Sequence, residues 1–244
     1  GQIEWLEREL AAAKAEGLAS ILFMHTYPSE LGHSSERVRD LLKIHRVPLV
    51  EMGHTHYNEL ANDGRTIYAA TRSTGQIEEG PAGFSITNLD QGIVSWKFKP
   101  LGNWPFVMIT SPIERLLITE PDRQVVRGTA EVRAKVWGAA KVSRAVLQVD
   151  GGTPLPMAAT DSPSVWSCQW DSSAAPNGEN RLTVTIHDFD GNSGQDTIAV
   201  WVSQDGSYPT PPYAPGDSAN AIGPYLSKGI LGTQLGPNKN GRKW

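Results

Sequence analysis

The decapeptide Val47-Pro48-Leu49-Val50-Glu51-Met52-Gly53-His54-Thr55-His56 decides how the first part of this chain is read. Val47–Met52 is a short apolar run of strand character, and Gly53 lets the backbone turn tightly or approach a ligand. His54 and His56 stand two apart, so in an extended turn both rings point to one side and Thr55 to the other. Imidazole is the commonest neutral metal ligand and titrates near neutrality, so a pair at a strand end suggests metal or acid–base chemistry. An isolated H-x-H also arises by chance. Here five of the six histidines in the chain fall between His25 and His56, which concentrates the signal.

Upstream, Ile3, Leu6, Leu10 and Ala13 recur at helical spacing and Gly17 is a natural stop, predicting a helix over residues 2–16. Ala19–Met24 is apolar without alternation, which predicts a strand covered on both faces and ended by His25-Thr26-Tyr27-Pro28. Ser34 or Ser35 can cap a second helix carrying Val38, Leu41 and Leu42, which must stop before Pro48. Strand, helix and strand at this spacing imply a right-handed crossover between two parallel strands. That topology delivers His25, His54 and His56 to the carboxyl ends of neighbouring strands, where open α/β sheets hold ligands. Thr66–Ala70 reads as a further strand. Phe84–Asn88 and Ile93–Phe98, joined across Asp90-Gln91-Gly92, read as a hairpin completing a first domain of residues 1–100.

Three segments now carry a resemblance. Gln2-Ile3-Glu4-Trp5-Leu6, the strand end Phe23-Met24-His25, and Gly53-His54-Thr55-His56, in that order, resemble the second half of a calcineurin-like metallophosphoesterase of the cyclic-nucleotide-phosphodiesterase type. The resemblance implies an α/β sandwich in which His25 and His54 bind one divalent cation and His56 a second, the metals being Fe, Mn or Zn. It implies hydrolysis of a small phosphomono- or phosphodiester by a hydroxide bridging the two cations. Cyclic nucleotides, phosphodiester lipids and simple monoesters all suit that chemistry. The family's D-x-H, bridging G-D and G-N-H-[DE] motifs do not occur here. The expectation is therefore a carboxyl-terminal fragment of a larger enzyme, inactive alone, with an open sheet edge and an exposed apolar face.

Other polar residues near the motif are weaker candidates. His33, in the Leu31-Gly32-His33-Ser34 loop, is the candidate catalytic group because it can reach a phosphate or leaving group, although a solvated loop histidine is the simpler role. Asn58, just past the motif, and Arg72, followed by Ser73 and Thr74, are candidate substrate-binding residues. Asn58 and Glu59 equally suit an imidazole-orienting role or a plain polar turn. His45 sits near a helix C-terminus, where a cation is favourable.

Residues 101–112, rich in proline, read as a linker to an all-β region over 113–203. Arg115–Thr119, Ala130–Val136, Arg144–Val149, Val165–Trp170, Arg181–His187 and Thr197–Val202 are evenly spaced strand candidates between Gly, Pro, Asn and Asp turns. This pattern predicts an antiparallel sandwich resembling bacterial immunoglobulin-like or fibronectin-type modules. Trp137, Trp166, Trp170 and Trp201 would make a carbohydrate platform if exposed, but Trp166 and Trp170 share one strand face and suit core packing better. Asp188, Asp190 and Asn192 have calcium-loop alternation without the bidentate Glu, so a hairpin turn fits better. Residues 204–244 form a Pro/Gly-rich tail, expected to be extended at first and then to pack on the first domain.

A net charge of -4 and a pI near 5.9 argue against a nucleic-acid polymer as partner. No apolar run reaches the roughly 18 residues of a membrane span. The single Cys168 excludes an internal disulfide. The immunoglobulin-like segment leans toward an extracytoplasmic location. It also sustains a competing reading, a noncatalytic binding or adhesion module in which the sandwich is the functional part.

Overall fold

The computed structural model describes residues 1–54, 56, 58–72, 82–138 and 140–209. Ser73, Thr74 and the tail from residue 210 onward, for which substrate contact and packing on the first domain were expected, lie outside the described residues. The described chain divides between Ser85 and Ile86 into two compact units.

In the first unit α1 (Gln2–Ala15) is followed by Gly17 in the left-handed region at φ 71, which reverses the chain into β1 (Ile21–Phe23). Then come α2 (Ser35–Ile44), β2 (Leu49–Met52), β3 (Glu59–Asn62) and β4 (Ile67–Ala70). The sheet order is β1-β2-β4-β3, with β1, β2 and β4 parallel and β3 antiparallel to β4. Val38, Leu41 and Leu42 of α2 are buried against Val50, Met52 and Tyr68 of the sheet, with Leu10 of α1 joining them. Each such side chain contributes about 1.5–3 kcal/mol on burial.

Two expectations change here. The apolar run 19–24 does not make a strand covered on both faces. β1 is an edge strand, with Phe23 75% and Ile21 37% exposed. Trp5 and Leu18, at 53% and 60%, add to an exposed apolar surface on the same unit. Glu59, for which a polar turn was one of two readings, instead opens a strand, Glu59–Asn62, whose four residues are all buried.

The hairpin β5 (Gly83–Asp90) and β6 (Ile93–Pro100) was expected to complete the first unit, yet lies mostly in the second. Nor is 101–112 a linker. Phe106–Ser111 is β7, paired antiparallel with β8 (Thr129–Trp137), because Pro105 and Pro112 bound this strand without interrupting its ladder. Arg115–Leu117 is a 3-10 turn, not a strand, and is followed by the short α3 (Pro121–Gln124). β9 (Val142–Val149), β12 (Val165–Asp171), β13 (Gly178–Asp188) and β14 (Ser193–Val202) follow the sequence pattern, and the two-residue strands β10 (Leu155–Pro156) and β11 (Ala158–Ala159) add to it.

Two antiparallel sheets, β10-β9-β13-β14 and β11-β12-β8-β7, make the sandwich. Inward residues alternate along each long strand: Val132, Ala134 and Val136 on β8 meet Leu182, Val184 and Ile186 on β13 and Trp170 on β12. Trp166 packs at the margin of this core, so the Trp166/Trp170 pair is structural. A Cβ on Gly194 would run into the Pro105 carbonyl oxygen, so β14 and the start of β7 approach as closely as glycine permits. The Asp188 carboxylate accepts backbone N–H bonds from Asp190 (3.0 Å) and Asn192 (2.8 Å), the arrangement of a closed hairpin turn.

Cys168 on β12 faces a prediction of its own. Burial, with a smaller contribution from the Glu131 carboxylate, pushes its thiol up to about 11. At pH 7 the folded chain should therefore alkylate with iodoacetamide about a hundredfold more slowly than the urea-unfolded chain, because the thiolate is the reactive form. Mass-spectrometric labelling kinetics check this, and equal rates would contradict the burial of that thiol. No helix among the described residues is long and apolar enough to cross a membrane.

Candidate metal-binding edge

The parallel strands bring their carboxyl ends to one edge of the first unit's sheet. His25 follows β1, Gly53 and His54 follow β2, and Thr71 and Arg72 follow β4. Antiparallel β3 starts at the same edge, which places Asn58 there as well. The edge is built by backbone hydrogen bonds that prolong the strand pairing. Met24 N–H donates to the Glu51 carbonyl (3.0 Å) and Thr71 N–H to that of Met52 (3.0 Å). The His25 carbonyl accepts from both Gly53 N–H (3.2 Å) and His54 N–H (2.9 Å), locking the two histidine backbones together.

The side chains meet as a result. His54 Nδ1 lies 3.1 Å from His25 Nε2, the ring centroids are 5.0 Å apart, and the planes cross at 74°. Two imidazole lone pairs do not face each other at that distance without a proton or a cation between them. Two nitrogens each about 2.0–2.1 Å from one zinc ion would be separated by about 3.3 Å in tetrahedral geometry and somewhat less in octahedral geometry. The observed spacing fits two positions of one cation, and both rings are exposed to solvent. These are the two histidines that the resemblance assigns to a common ion.

His56 does not share that arrangement. Its φ is 62, and its N–H bonds back to the Gly53 carbonyl at 3.4 Å, so the chain turns where an extended H-x-H was expected. A left-handed conformation is tolerated by His better than by most non-glycine residues, but it breaks the alternation that would aim His54 and His56 together. Among the described residues no group of three or more His, Cys, Asp or Glu side chains is disposed to hold a metal. Convergence therefore extends to two of the three imidazoles.

The remaining candidates separate clearly. His33 is an exposed member of the Gly32–Ser34 turn. Asn58 and Arg72 are buried, at 0% and 3% exposure, and Arg72 N–H donates to Asn58 Oδ1 at 3.1 Å. That bond ties Asn58, just past the histidine turn, to the backbone at the end of β4. His45 is the C-cap of α2, as its position suggested.

Residues 105–184 match the family model described as a bacterial Ig domain. No curated protein matches the sequence. Among solved structures, an engineered protein determined at 1.98 Å shares 26% identity over 41% of this chain and 20% of its own, with a TM-score of 0.31. The endo-beta-1,4-mannanase from Thermotoga petrophila shares 13% identity over 83% of this chain and 43% of its own, TM-score 0.36. The fibronectin(III)-like modules of Clostridium thermocellum CbhA share 17% identity over 64% and 83%, TM-score 0.32. The present chain thus spans a fifth of the first of these proteins and less than half of the second.

Proposed function

We propose that the first unit contributes part of a divalent-metal centre that hydrolyses small phosphate esters. In this reading His25 and His54 ligate a common cation, and His56 enters from the following turn toward a second. The observation that supports it is the 3.1 Å approach of His54 Nδ1 to His25 Nε2 at the carboxyl edge of parallel strands. The backbone bonds to the His25 carbonyl hold the two main chains together before any ion arrives, which lowers the ordering cost of bringing the rings to one ion. Two imidazoles fill two positions of an ion that takes four or more ligands, so the others come from outside the described residues. A bound divalent cation in such a site supplies an activated water and draws charge from the phosphate oxygens.

A second reading has its own support. The bacterial Ig match over residues 105–184 favours a noncatalytic binding or adhesion module whose working part is the sandwich. The comparisons bear on this reading, while the first rests on the histidine geometry and the resemblance. One experiment separates the two. The full-length protein that carries this chain is purified, its metal content measured, and its turnover of p-nitrophenyl phosphate and bis-p-nitrophenyl phosphate followed. About two metal equivalents and hydrolysis, both lost in His54→Ala, support the phosphoesterase. A folded, metal-free and inactive protein assigns the function to the sandwich.

A further inference from the structure

A second cleft lies at the opposite end of the same sheet. Its volume is about 450 Å³, within the range of small-molecule sites. One wall is the polar face of α2, where an acidic pair, Glu36 and Asp40, alternates with a basic pair, Arg39 and Lys43, each at i,i+4 spacing. The other wall is the turn between β3 and β4, which contributes Asp63 and Arg65. That turn is rigidly built. Asp63 Oδ1 accepts from Arg65 N–H (3.0 Å) and Thr66 N–H (2.8 Å), and the buried Tyr68 hydroxyl donates to Asp63 Oδ2 (3.2 Å). Thr66 Oγ1 donates in turn to the Val47 carbonyl at 2.9 Å. Burial first, and then the Asp63 charge, push the Tyr68 hydroxyl far above the ordinary phenol range, so it remains a donor to that carboxylate.

The charges around the cleft do not pair with one another. Arg37, on the same helix, is bound by Glu4 (3.6 Å) and Glu7 (2.8 Å). Arg39, Lys43 and Arg65 make no ion pair within 4.0 Å among the described residues. Three cations from two separate elements thus face one solvent-filled space, interleaved with three carboxylates. Guanidinium groups match phosphate oxygens with forked hydrogen bonds, and carboxylates accept from hydroxyls. The six charges sum to zero. That balance disfavours a polyanion and suits a ligand with one anionic group and several neutral hydroxyls.

We infer that this cleft binds a phosphorylated sugar, its phosphate between Arg39, Lys43 and Arg65 and its hydroxyls toward Asp40 and Glu36. The inference does not depend on the metal-site reading, because the cleft stands at the other end of β4 from His25 and His54.

The test titrates the full chain with ribose 5-phosphate, inorganic phosphate and ribose in turn, by calorimetry at low salt. Saturable binding of ribose 5-phosphate, at least about tenfold tighter than either component alone, is expected. Arg39→Gln and Arg65→Gln should each weaken it about tenfold or more with unchanged melting temperature, since both side chains are exposed. Arg37→Gln and His54→Ala should leave it as it was. Absence of saturation up to about 10 mM ribose 5-phosphate would overturn the site, as would an undiminished signal in Arg39→Gln and Arg65→Gln. Inorganic phosphate binding as tightly as the sugar phosphate would overturn the ligand class.

Discussion

Asp196→Ala is expected to cost the second unit about 3–5 kcal/mol, a large share of the stability of an ordinary domain. Asp196 sits on β14 with 6% of its surface exposed, opposite Val184 in the strand ladder. Its carboxylate holds three groups from different parts of the fold. One oxygen accepts from the Lys97 ammonium of β6 and from Thr197 N–H (2.9 Å), and the other accepts from Ile109 N–H of β7 at 2.7 Å. β7 and β14 belong to opposite sheets, so this one side chain stitches the sandwich together at a point where the β7–β8 register slips between Ile109 and Ser111. Alanine would leave a half-buried ammonium without its counter-ion and the Ile109 amide without an acceptor, and both penalties fall on the folded state. Lys97→Met should cost much less, since the carboxylate keeps its two backbone donors. The double variant Lys97→Met/Asp196→Asn should recover part of the loss, because no buried cation then remains to be compensated. Urea denaturation of the three proteins measures all of this. A loss below about 1 kcal/mol for Asp196→Ala would mean that water reaches the pair and screens it.

The physical reasons for what was and was not legible in the sequence differ from element to element. β8 and β13 announce themselves because one face of each is buried and the other is not, so apolar residues fall on alternate positions. β7 was hidden by the prolines around it. Proline removes a ladder donor only at its own position, and Pro105 and Pro112 lie just outside Phe106–Ser111. β3 has no apolar pattern because Glu59 and Asn62 are wholly buried polar residues, a combination that composition assigns to turns. The run 19–24 misleads in the other direction. Continuous apolar character normally reports a strand covered on both sides, whereas Ile21 and Phe23 stand exposed on an edge strand without the Lys, Pro or bulge that usually protects one.

At the candidate site the strand-end placement of His25 and His54 follows from topology, and topology was readable. The conformation of residue 56 was not. H-x-H spacing predicts convergence only if the backbone stays extended, and a single φ of 62 turns His56 out of that pattern. Polarity next to the motif marks Asn58 and Arg72, but polarity does not report burial, and both side chains are buried.

His54→Ala should weaken Zn²⁺ or Mn²⁺ binding by this chain about a hundredfold or more. Loss of an outer-shell partner alone costs 10–100-fold, and in the proposed centre His54 is a direct ligand. The expected size follows from the chelate. With His54 Nδ1 already 3.1 Å from His25 Nε2, the second nitrogen binds an ion held by the first and loses little further freedom. Removing either ring leaves a single imidazole, the affinity of any exposed surface histidine. His25→Ala should therefore match His54→Ala, and His33→Ala, on an exposed turn, should change nothing. His56→Ala separates a two-histidine site from a larger one. A small effect keeps the metal on the observed pair, whereas a loss equal to that of His54→Ala means that the turn at residue 56 rearranges to bring in a third ligand. Each imidazole must be neutral to bind, so acidification should release the ion in competition with protons. Isothermal titration of the wild-type chain and these four variants with each metal tests the set. Equal affinity in wild type, His25→Ala and His54→Ala would show that the two rings share only a proton, and the metal assignment of this edge would fall with that result.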